Sequence, residues 1–178
     1  AGQQVGPWVL VEELGRGGMA SVWRAHPHSG DFQREVALKL PHSPAPGWLE
    51  RMRRERDILA RLQHGGIARL YDAGTDAAGL PWLAMECVQG RDILGWCDAR
   101  GSDTATRLRL LLQVADALQY AHSRLVIHRD IKPANVLVQD DGQTRLLDFG
   151  IARWLAPDGD NPALTQLGQR PMTPEYAS

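Results

Sequence analysis

The stretch VIHRDIKPAN, residues 126–135, and the LDFG that follows it at 147–150 decide what this 178-residue chain can be. Asp130 and Asn135 lie in a segment that a proline interrupts, which predicts a loop rather than one face of a helix. Asp148 is followed two residues later by a glycine that lets the chain turn sharply, as suits a metal ligand at a strand end. Two carboxylates, an amide and a lysine at this spacing can hold magnesium and a phosphoryl group beside an acceptor hydroxyl, as phosphoryl transfer requires.

A glycine-rich stretch, LGRGGMASV at residues 14–22, lies near the start of the chain. Residues 8–14 before it and 21–25 after it are rich in β-branched and aromatic side chains, which predicts two strands joined by a glycine turn. Such a turn lets backbone N–H groups approach phosphates closely. A dinucleotide-binding loop would instead require a helix directly after the glycines, and no helical pattern begins before Glu35.

A third motif is the short apolar strand VALK, residues 36–39, which ends in a lysine. It precedes a predicted helix at about residues 48–63, in which Glu55 lies on the apolar, inward face. A carboxylate that faces the interior is costly unless it is paired. Lys39 is one candidate partner for Glu55. The helix itself offers four others: Arg51, Arg53, Arg54 and Arg56.

The composition is typical of a globular protein, with 43% hydrophobic and 23% charged residues. Twenty basic and 21 acidic residues give a net charge of −1, so no strongly basic surface indicates nucleic-acid binding. No apolar stretch of about 18 residues predicts a transmembrane helix, and no secretory signal opens the chain. Cys87 and Cys97 lack metal-ligand spacing, which indicates small apolar side chains in a reducing cytoplasm. We therefore expect a cytoplasmic domain without nucleic-acid or membrane contact, and a membrane anchor elsewhere in a longer protein stays open.

The order of the predicted elements divides the chain into two regions. One helix and five strands are predicted up to Glu86, and the strands end near these residues: Leu14, Ala25, Leu40, Ala73 and Glu86. Residues 87–90 leave the last strand and end in a glycine, which indicates a linker. A long helix ending near Arg124 would begin a second, mainly helical region. Its predicted apolar face consists of Leu108, Leu111, Leu112, Ala115, Leu118 and His122.

Taken together, these motifs resemble those of eukaryotic-type protein kinases, and both the catalytic-loop motif and the magnesium-loop motif are complete. Lys132, two positions after Asp130, is typical of the serine/threonine class. With GGM at 17–19, IAR at 151–153 and TPEYAS at 173–178, the sequence is most similar to bacterial kinases of the Hanks type. The resemblance spans nearly the whole chain.

The resemblance implies an α+β, bilobal, protein-kinase-like fold, with a five-stranded N-lobe sheet, one main helix and the first part of a helical C-lobe. It assigns residues 1–86 to the N-lobe, 87–90 to the hinge, and 91–178 to a partial C-lobe with the catalytic loop and activation segment. Because kinases continue into further helices, we expect a C-terminally truncated fragment, with activity belonging to the full-length protein. Ala20 stands where the family pattern has its third glycine, which affects the geometry of the glycine-rich loop.

The resemblance also implies the chemistry: transfer of the ATP γ-phosphate to serine or threonine hydroxyls of proteins, with magnesium, or manganese in its place. Asp130 would orient the acceptor hydroxyl and accept its proton, and Lys132 would stabilise the γ-phosphate. Asn135 and Asp148 would hold the metal ion.

The resemblance implies a nucleotide site built from several motifs. Lys39, held by Glu55, would contact the α- and β-phosphates, and Met85 would limit the pocket behind the adenine. The full set of implied nucleotide-binding residues is Leu14, Gly15, Arg16, Gly17, Gly18, Val22, Ala37, Lys39, Met85, Glu86, Val88, Asn135, Leu137 and Asp148.

Regulation and partners complete what the resemblance implies. Arg129 precedes the catalytic aspartate, and in such kinases a phosphorylated residue of the activation segment commonly docks against it. Thr173 matches the threonine that contacts the catalytic aspartate and lysine, so Thr165 is the preferred phosphosite. The implied partners are protein substrates and, for autophosphorylation, a second copy of the chain in a homodimer. Two alternatives stay open: a pseudokinase that acts as a binding scaffold, and a small-molecule kinase of related fold.

Overall fold

The computed structural model describes residues 2–17, 20–29, 34–42, 60, 62–128 and 130–148. The chain divides into two compact units. The first comprises Ala1–Gln63 with Ala68–Val88, and the second comprises His64–Ile67 with Gln89–Ser178. Within the described ranges, no helix is long and apolar enough to cross a membrane.

The first unit is built on one antiparallel sheet whose spatial order is β1-β2-β3-β4-β6-β5. Its strands are β1 Gln4–Val5, β2 Trp8–Arg16, β3 Ala20–Pro27, β4 Val36–Pro41, β5 Leu70–Thr75 and β6 Pro81–Glu86. The five long strands end within two residues of the predicted positions. The sheet nevertheless has six strands rather than five, because β1 pairs with the start of β2. A strand of two residues is too short to produce a periodic pattern in the sequence.

The register of this sheet separates its residues into two faces. Val22 pairs with Lys39 and Ala37 pairs with Met85, so the side chains of these four residues share one face. The opposite face forms the hydrophobic core of the unit, with Val5, Leu10, Ala25, Val36, Leu38, Trp82 and Ala84 buried together. Alternation along β4 therefore places Val36 and Leu38 in this core and Ala37 and Lys39 on the other face.

The second unit combines a small sheet with two described helices. Its strands β7 Arg91–Asp92, β8 Val136–Val138 and β9 Thr144–Leu146 form an antiparallel sheet in that order. Helix α1 spans Ile93–Ala99 and helix α2 spans Thr104–His122. An aspartate precedes and caps each helix, Asp92 for α1 and Asp103 for α2, and its carboxylate accepts a backbone N–H of the first turn.

The predicted apolar face of α2 was wrong. The buried residues are Leu110, Val114, Ala117 and Ala121. The predicted leucines Leu108, Leu111 and Leu112 are instead exposed, Leu112 by 69%. The helix carries apolar residues on more than one stripe, and the small residues allow closer packing: a Cβ on Gly66 would lie only 3.1 Å from that of Ala117. Periodicity alone cannot choose between two apolar stripes. The buried stripe is the one that makes tertiary contacts: Leu110 packs with Trp96, Cys97 and Val138, and Ala117 lies against the turn at Gly66.

The end of α2 places a leucine in a left-handed conformation. The Val126 N–H donates to the Ala121 carbonyl and the Leu125 N–H donates to the His122 carbonyl, which is the hydrogen-bond pattern of a Schellman motif. Leu125 occupies the position that glycine usually takes, with φ of 61°, and its side chain is 92% exposed. Its Cβ therefore makes the left-handed conformation costly, and the exposed side chain gains almost no hydrophobic stabilisation to offset that cost.

We expect Leu125→Gly to stabilise the protein by about 0.5–1 kcal/mol. Glycine removes the steric cost that leucine has in the left-handed conformation, and this gain exceeds the loss from the larger entropy of glycine in the unfolded chain. The free energy of unfolding from urea titration measures the change. Leu125→Ala is the control and should show no such gain, because alanine keeps the Cβ. A loss of stability in the glycine variant would contradict the strain.

Candidate active site

The loop that carries Asp130 is anchored by a buried histidine. His128 is 1% exposed, and its Nε2 lies 2.8 Å from the carbonyl oxygen of Leu147, so this nitrogen carries a proton and donates it. Its Nδ1 accepts the backbone N–H of Asp130 at 3.3 Å. Burial lowers the pKa of His128 below its ordinary value, and the Leu147 carbonyl and the charges of Asp130 and Asp148 oppose this only in part. A neutral imidazole thus joins the start of the loop to the chain before Asp148.

Three polar side chains meet inside this loop. Nζ of Lys132 lies 2.8 Å from Oδ2 of Asp130. Nδ2 of Asn135 donates to the backbone oxygen of Asp130 at 2.8 Å and to its Oδ2 at 2.9 Å. The single 3₁₀ turn Pro133–Asn135 returns the chain toward Asp130, and its proline suits the first position of the turn. Because the amide nitrogen is committed to Asp130, the oxygen is the atom that Asn135 can offer to a cation.

Asp148 lies at the end of the chain segment that leaves β9. Its φ of 57° is unusual for a residue other than glycine, although aspartate tolerates this region better than most. The residue before it is held on both sides: the Leu147 N–H donates to the Asn135 carbonyl at 2.9 Å, and the Leu147 carbonyl accepts from His128. A sparsely populated backbone conformation persists where its surroundings determine it in this way.

The donor chemistry of this region fits magnesium. An amide oxygen from Asn135 and a carboxylate from Asp148 are the hard oxygen ligands that Mg²⁺ prefers. Among the residues that the structure describes, no cluster of three or more His, Cys, Asp or Glu side chains forms a closed metal cage. Magnesium is usually bound through one or two carboxylates together with substrate phosphates, so a small donor set is what such a site needs.

In the first unit, one sheet face carries the predicted nucleotide residues Val22, Ala37, Lys39 and Met85. The side chain of Lys39 is buried on this face. Glu86 ends β6 and pairs with the chain at Arg69, because the Arg69 carbonyl accepts the Glu86 N–H at 2.8 Å.

The glycine-rich stretch closes the hairpin between β2 and β3. The Gly17 N–H donates to the Ala20 carbonyl at 2.9 Å, and Gly15 pairs with Val22 in the sheet. Among the residues that the structure describes, no atom would lie within 4 Å of a Cβ on Gly15, and only the Ala20 oxygen, at 3.8 Å, would lie within 4 Å of one on Gly17. Neither glycine has a positive φ. The described fold therefore does not itself require glycine here, and the open space suits the close approach of another molecule.

Arg16, at the end of β2, forms a two-pronged ion pair with Glu13, with distances of 2.7 and 3.1 Å. The guanidinium of Arg16 holds the pKa of the Glu13 carboxyl below its usual value. The predicted residue Leu14 lies between them and is half exposed.

The remaining predicted residues fall into two groups. Val88 and Leu137 are partly buried, the first in the first unit and the second in β8. Several predictions lie outside the described residues, together with the predicted helix that carries the glutamate: Gly18, Glu55, Arg129, Thr165 and Thr173.

A search against known families matches residues 8–178 to the family described as the protein kinase domain. The chain belongs to the protein kinase family. The expected kinase-like α+β fold is thereby confirmed, and so is the resemblance to bacterial serine/threonine kinases. Members of this family use ATP, a divalent metal ion and protein substrates.

Several curated relatives of this kinase domain are bacterial. The chain is 36% identical to the probable serine/threonine-protein kinase SCO3848 of Streptomyces coelicolor, over 97% of this chain and 26% of the relative. It is 37% identical to the serine/threonine-protein kinase PknH of Mycobacterium tuberculosis, over 98% of this chain and 28% of the relative. The chain thus spans about a quarter of the length of these relatives.

Solved structures agree with the family assignment. A crystal structure of the Mycobacterium tuberculosis PknI kinase domain matches with a TM-score of 0.71 and 31% identity. The match covers 84% of this chain and 61% of that one.

The sequence did not reveal His64, which lies in a glycine turn of the second unit. Its Nε2 lies 3.1 Å from Oδ2 of Asp116, a residue 52 positions further along the chain. Its Nδ1 accepts the N–H of Gly66 at 3.0 Å. The pair of glycines after His64 predicts a turn in this kinase domain, but no local pattern in the sequence predicts that Asp116 is the partner of His64.

The buried His128 predicts a pH dependence of stability. Because its pKa is lower in the folded state than the ordinary value of about 6.5, the unfolded chain binds the proton more readily. The stability that depends on the neutral imidazole is therefore fully present above about pH 6.5 and is lost as the pH falls below that value. Urea titrations between about pH 7.5 and 5.5 should show this loss, and His128→Gln should reduce the slope. An equal slope in the glutamine variant would contradict the assignment.

Proposed function

We propose that this kinase domain transfers the γ-phosphate of ATP to serine or threonine hydroxyls of proteins, in a bacterial signalling protein. The observation that carries the proposal is the cluster of Asp130, Lys132 and Asn135, joined by contacts of 2.8 to 2.9 Å. Phosphoryl transfer depends on positioning and on charge neutralisation more than on covalent catalysis, and this cluster supplies both.

Asp130 is assigned to the acceptor. Its carboxylate orients the hydroxyl for attack and takes its proton, while its own orientation is held by the amide of Asn135. Lys132 balances the charge of Asp130 before substrate binds and then neutralises the transferring phosphoryl group. Electrostatic stabilisation of this kind is most effective when the charged groups are gathered before the reaction begins, and Lys132 already lies beside Asp130.

The metal ligands are assigned to Asn135 Oδ1 and the carboxylate of Asp148. Bound magnesium would supply positive charge to the phosphate oxygens of ATP, and manganese is the natural substitute. Lys39 is assigned to the α- and β-phosphates with Glu55 as its partner. The backbone of Glu86 and Val88 is assigned to the adenine, and the turn after Gly15 to the phosphates.

Three finer assignments rest on the resemblance alone. Thr165 is proposed as the activating phosphosite that docks on Arg129, and Thr173 as a contact of the substrate loop. Autophosphorylation in a homodimer is proposed on the same ground. A cytoplasmic position of the domain is proposed separately, because Cys87 and Cys97 lack metal-ligand spacing.

We expect Asp130→Asn and Asp148→Asn in the full-length protein to lower kcat by about 10²- to 10⁴-fold for different reasons. Asp130→Asn removes the proton acceptor, so ATP affinity should stay close to normal. Asp148→Asn replaces a metal-binding carboxylate by a neutral amide, so the dependence on magnesium concentration should shift to higher values. Steady-state kinetics and calorimetric ATP binding with and without magnesium measure both.

Asp140→Asn is a matched control for these two variants. Asp140 is fully exposed in the same unit, and within the described part of the chain its carboxylate contacts only Arg100, at 3.5 Å, so its loss should not change the rate. Near-normal turnover of Asp148→Asn at unchanged stability would refute the metal assignment. Transfer to an aminoglycoside or choline but not to a protein would favour a small-molecule kinase, and ATP binding without any transfer would favour a pseudokinase.

Gly15→Ala should weaken ATP binding by about threefold to tenfold, roughly the worth of one hydrogen bond, while leaving stability unchanged. A Cβ there meets no atom of the described protein but would stand in the way of closely approaching phosphates. Gly74→Ala provides the contrast, because its Cβ would lie 2.6 Å from Cζ2 of the buried Trp82 and should destabilise the first unit. Unchanged ATP affinity in Gly15→Ala would remove this turn from the nucleotide site.

A further inference from the structure

The turn at residues 64–67 is fastened to helix α2 by one imidazole. Because Nδ1 of His64 accepts the Gly66 N–H, the proton lies on Nε2, which donates to the carboxylate of Asp116. The ring also packs against Tyr120, with 4.9 Å between the ring centroids. Both nitrogens and one face of the ring are therefore engaged, although the carboxylate of Asp116 is itself largely exposed.

The same turn also binds Leu146, the last residue of β9, through its backbone. The carbonyl of Gly66 accepts the Leu146 N–H at 2.8 Å, and Ile67 forms a parallel bridge with Leu146. Both apolar side chains are buried. A Cβ at Gly66 would lie 3.1 Å from Cβ of Ala117 and 3.2 Å from Nδ1 of His64, so any other residue would crowd the helix and the imidazole at this approach.

Asp148 follows Leu146 by two residues. The backbone between them is fixed by three hydrogen bonds: from Leu146 to the Gly66 carbonyl, from Leu147 to the Asn135 carbonyl, and from His128 to the Leu147 carbonyl. Two of these come from the loop that carries Asp130. The third comes from the turn, and it holds the strand end from a separate part of the chain.

We propose that His64 and Asp116 are positioning residues for Asp148, acting through Gly66 and Leu146. This inference rests on the proposed function, in which Asp148 binds the metal. His64 orders the turn and so aims the Gly66 carbonyl at Leu146, and Asp116 holds the imidazole in the orientation and tautomer that this requires. The left-handed conformation of Asp148 needs such support, because a strained backbone relaxes when one of its restraints is removed.

Amide hydrogen exchange of Leu146 in the full-length protein tests the first step without any metal or nucleotide. His64→Ala and Asp116→Asn should speed exchange by about threefold to tenfold, as expected when one hydrogen bond is weakened. His64→Asn should largely restore protection, because the asparagine oxygen can take the place of Nδ1 as acceptor of the Gly66 N–H. Asp98→Asn is the matched control: its carboxylate is 73% exposed against 72% for Asp116, and each lies 3.1 Å from its partner.

Magnesium dependence tests the second step. In His64→Ala and Asp116→Asn the magnesium concentration needed for half-maximal tightening of ATP binding should rise about threefold to tenfold, while ATP affinity without magnesium stays unchanged. A merely structural role would lower overall stability without this separation. Unchanged exchange at Leu146, or unchanged magnesium dependence, overturns the inference. If wild-type protein shows no magnesium-dependent ATP binding at all, the proposed function fails, and the metal part of this inference fails with it. The exchange result still decides whether His64 and Asp116 hold the contact between Gly66 and Leu146.

Discussion

The buried imidazole of His128 is the contact on which the candidate site depends. It donates to the Leu147 carbonyl and accepts from the Asp130 N–H, so one neutral ring joins the two chain segments that carry the carboxylates. A protonated ring would place a second donor against the Asp130 N–H and bury an unfavourable charge. The lowered pKa of His128 follows from this burial, and it keeps the ring in the only protonation state that serves both hydrogen bonds.

Around this ring the second unit holds polar groups in fixed mutual positions. Asn135 bonds to Asp130 through its side chain and to Leu147 through its backbone, so the amide contacts both segments. Lys132 places its ammonium group 2.8 Å from the carboxylate of Asp130 in a partly buried loop. Preorganisation of this kind is what a phosphoryl-transfer site requires, because its catalytic gain comes from charges that need not move. The left-handed backbone of Asp148 is likewise held by the hydrogen bonds of the residues around it.

Some features of this chain are decided by neighbouring residues and others by contacts between distant ones. The strands around Val22 and Lys39 and the loop after His128 follow from patterns of a few residues, and each lies where these patterns predict. The buried side of α2 does not follow, because its leucines define more than one apolar stripe. Contacts with residues far away in sequence select the buried one, among them Val138 with Leu110 and Gly66 with Ala117. The strand Gln4–Val5 is likewise invisible before its partner is known.

The sequence by itself determined the chemistry of the chain: which carboxylates, amide and lysines stand at the spacing of a kinase, and on which loops and strands they lie. It could do so because loops with proline and glycine, alternating strands and helix caps are decided by neighbouring residues. Only the tertiary structure decided that His64 meets Asp116, that Gly66 reaches Leu146, and that Asp148 is left-handed. These features depend on contacts between residues tens of positions apart, and burial and hydrogen bonding at such distances leave no periodic trace in the sequence.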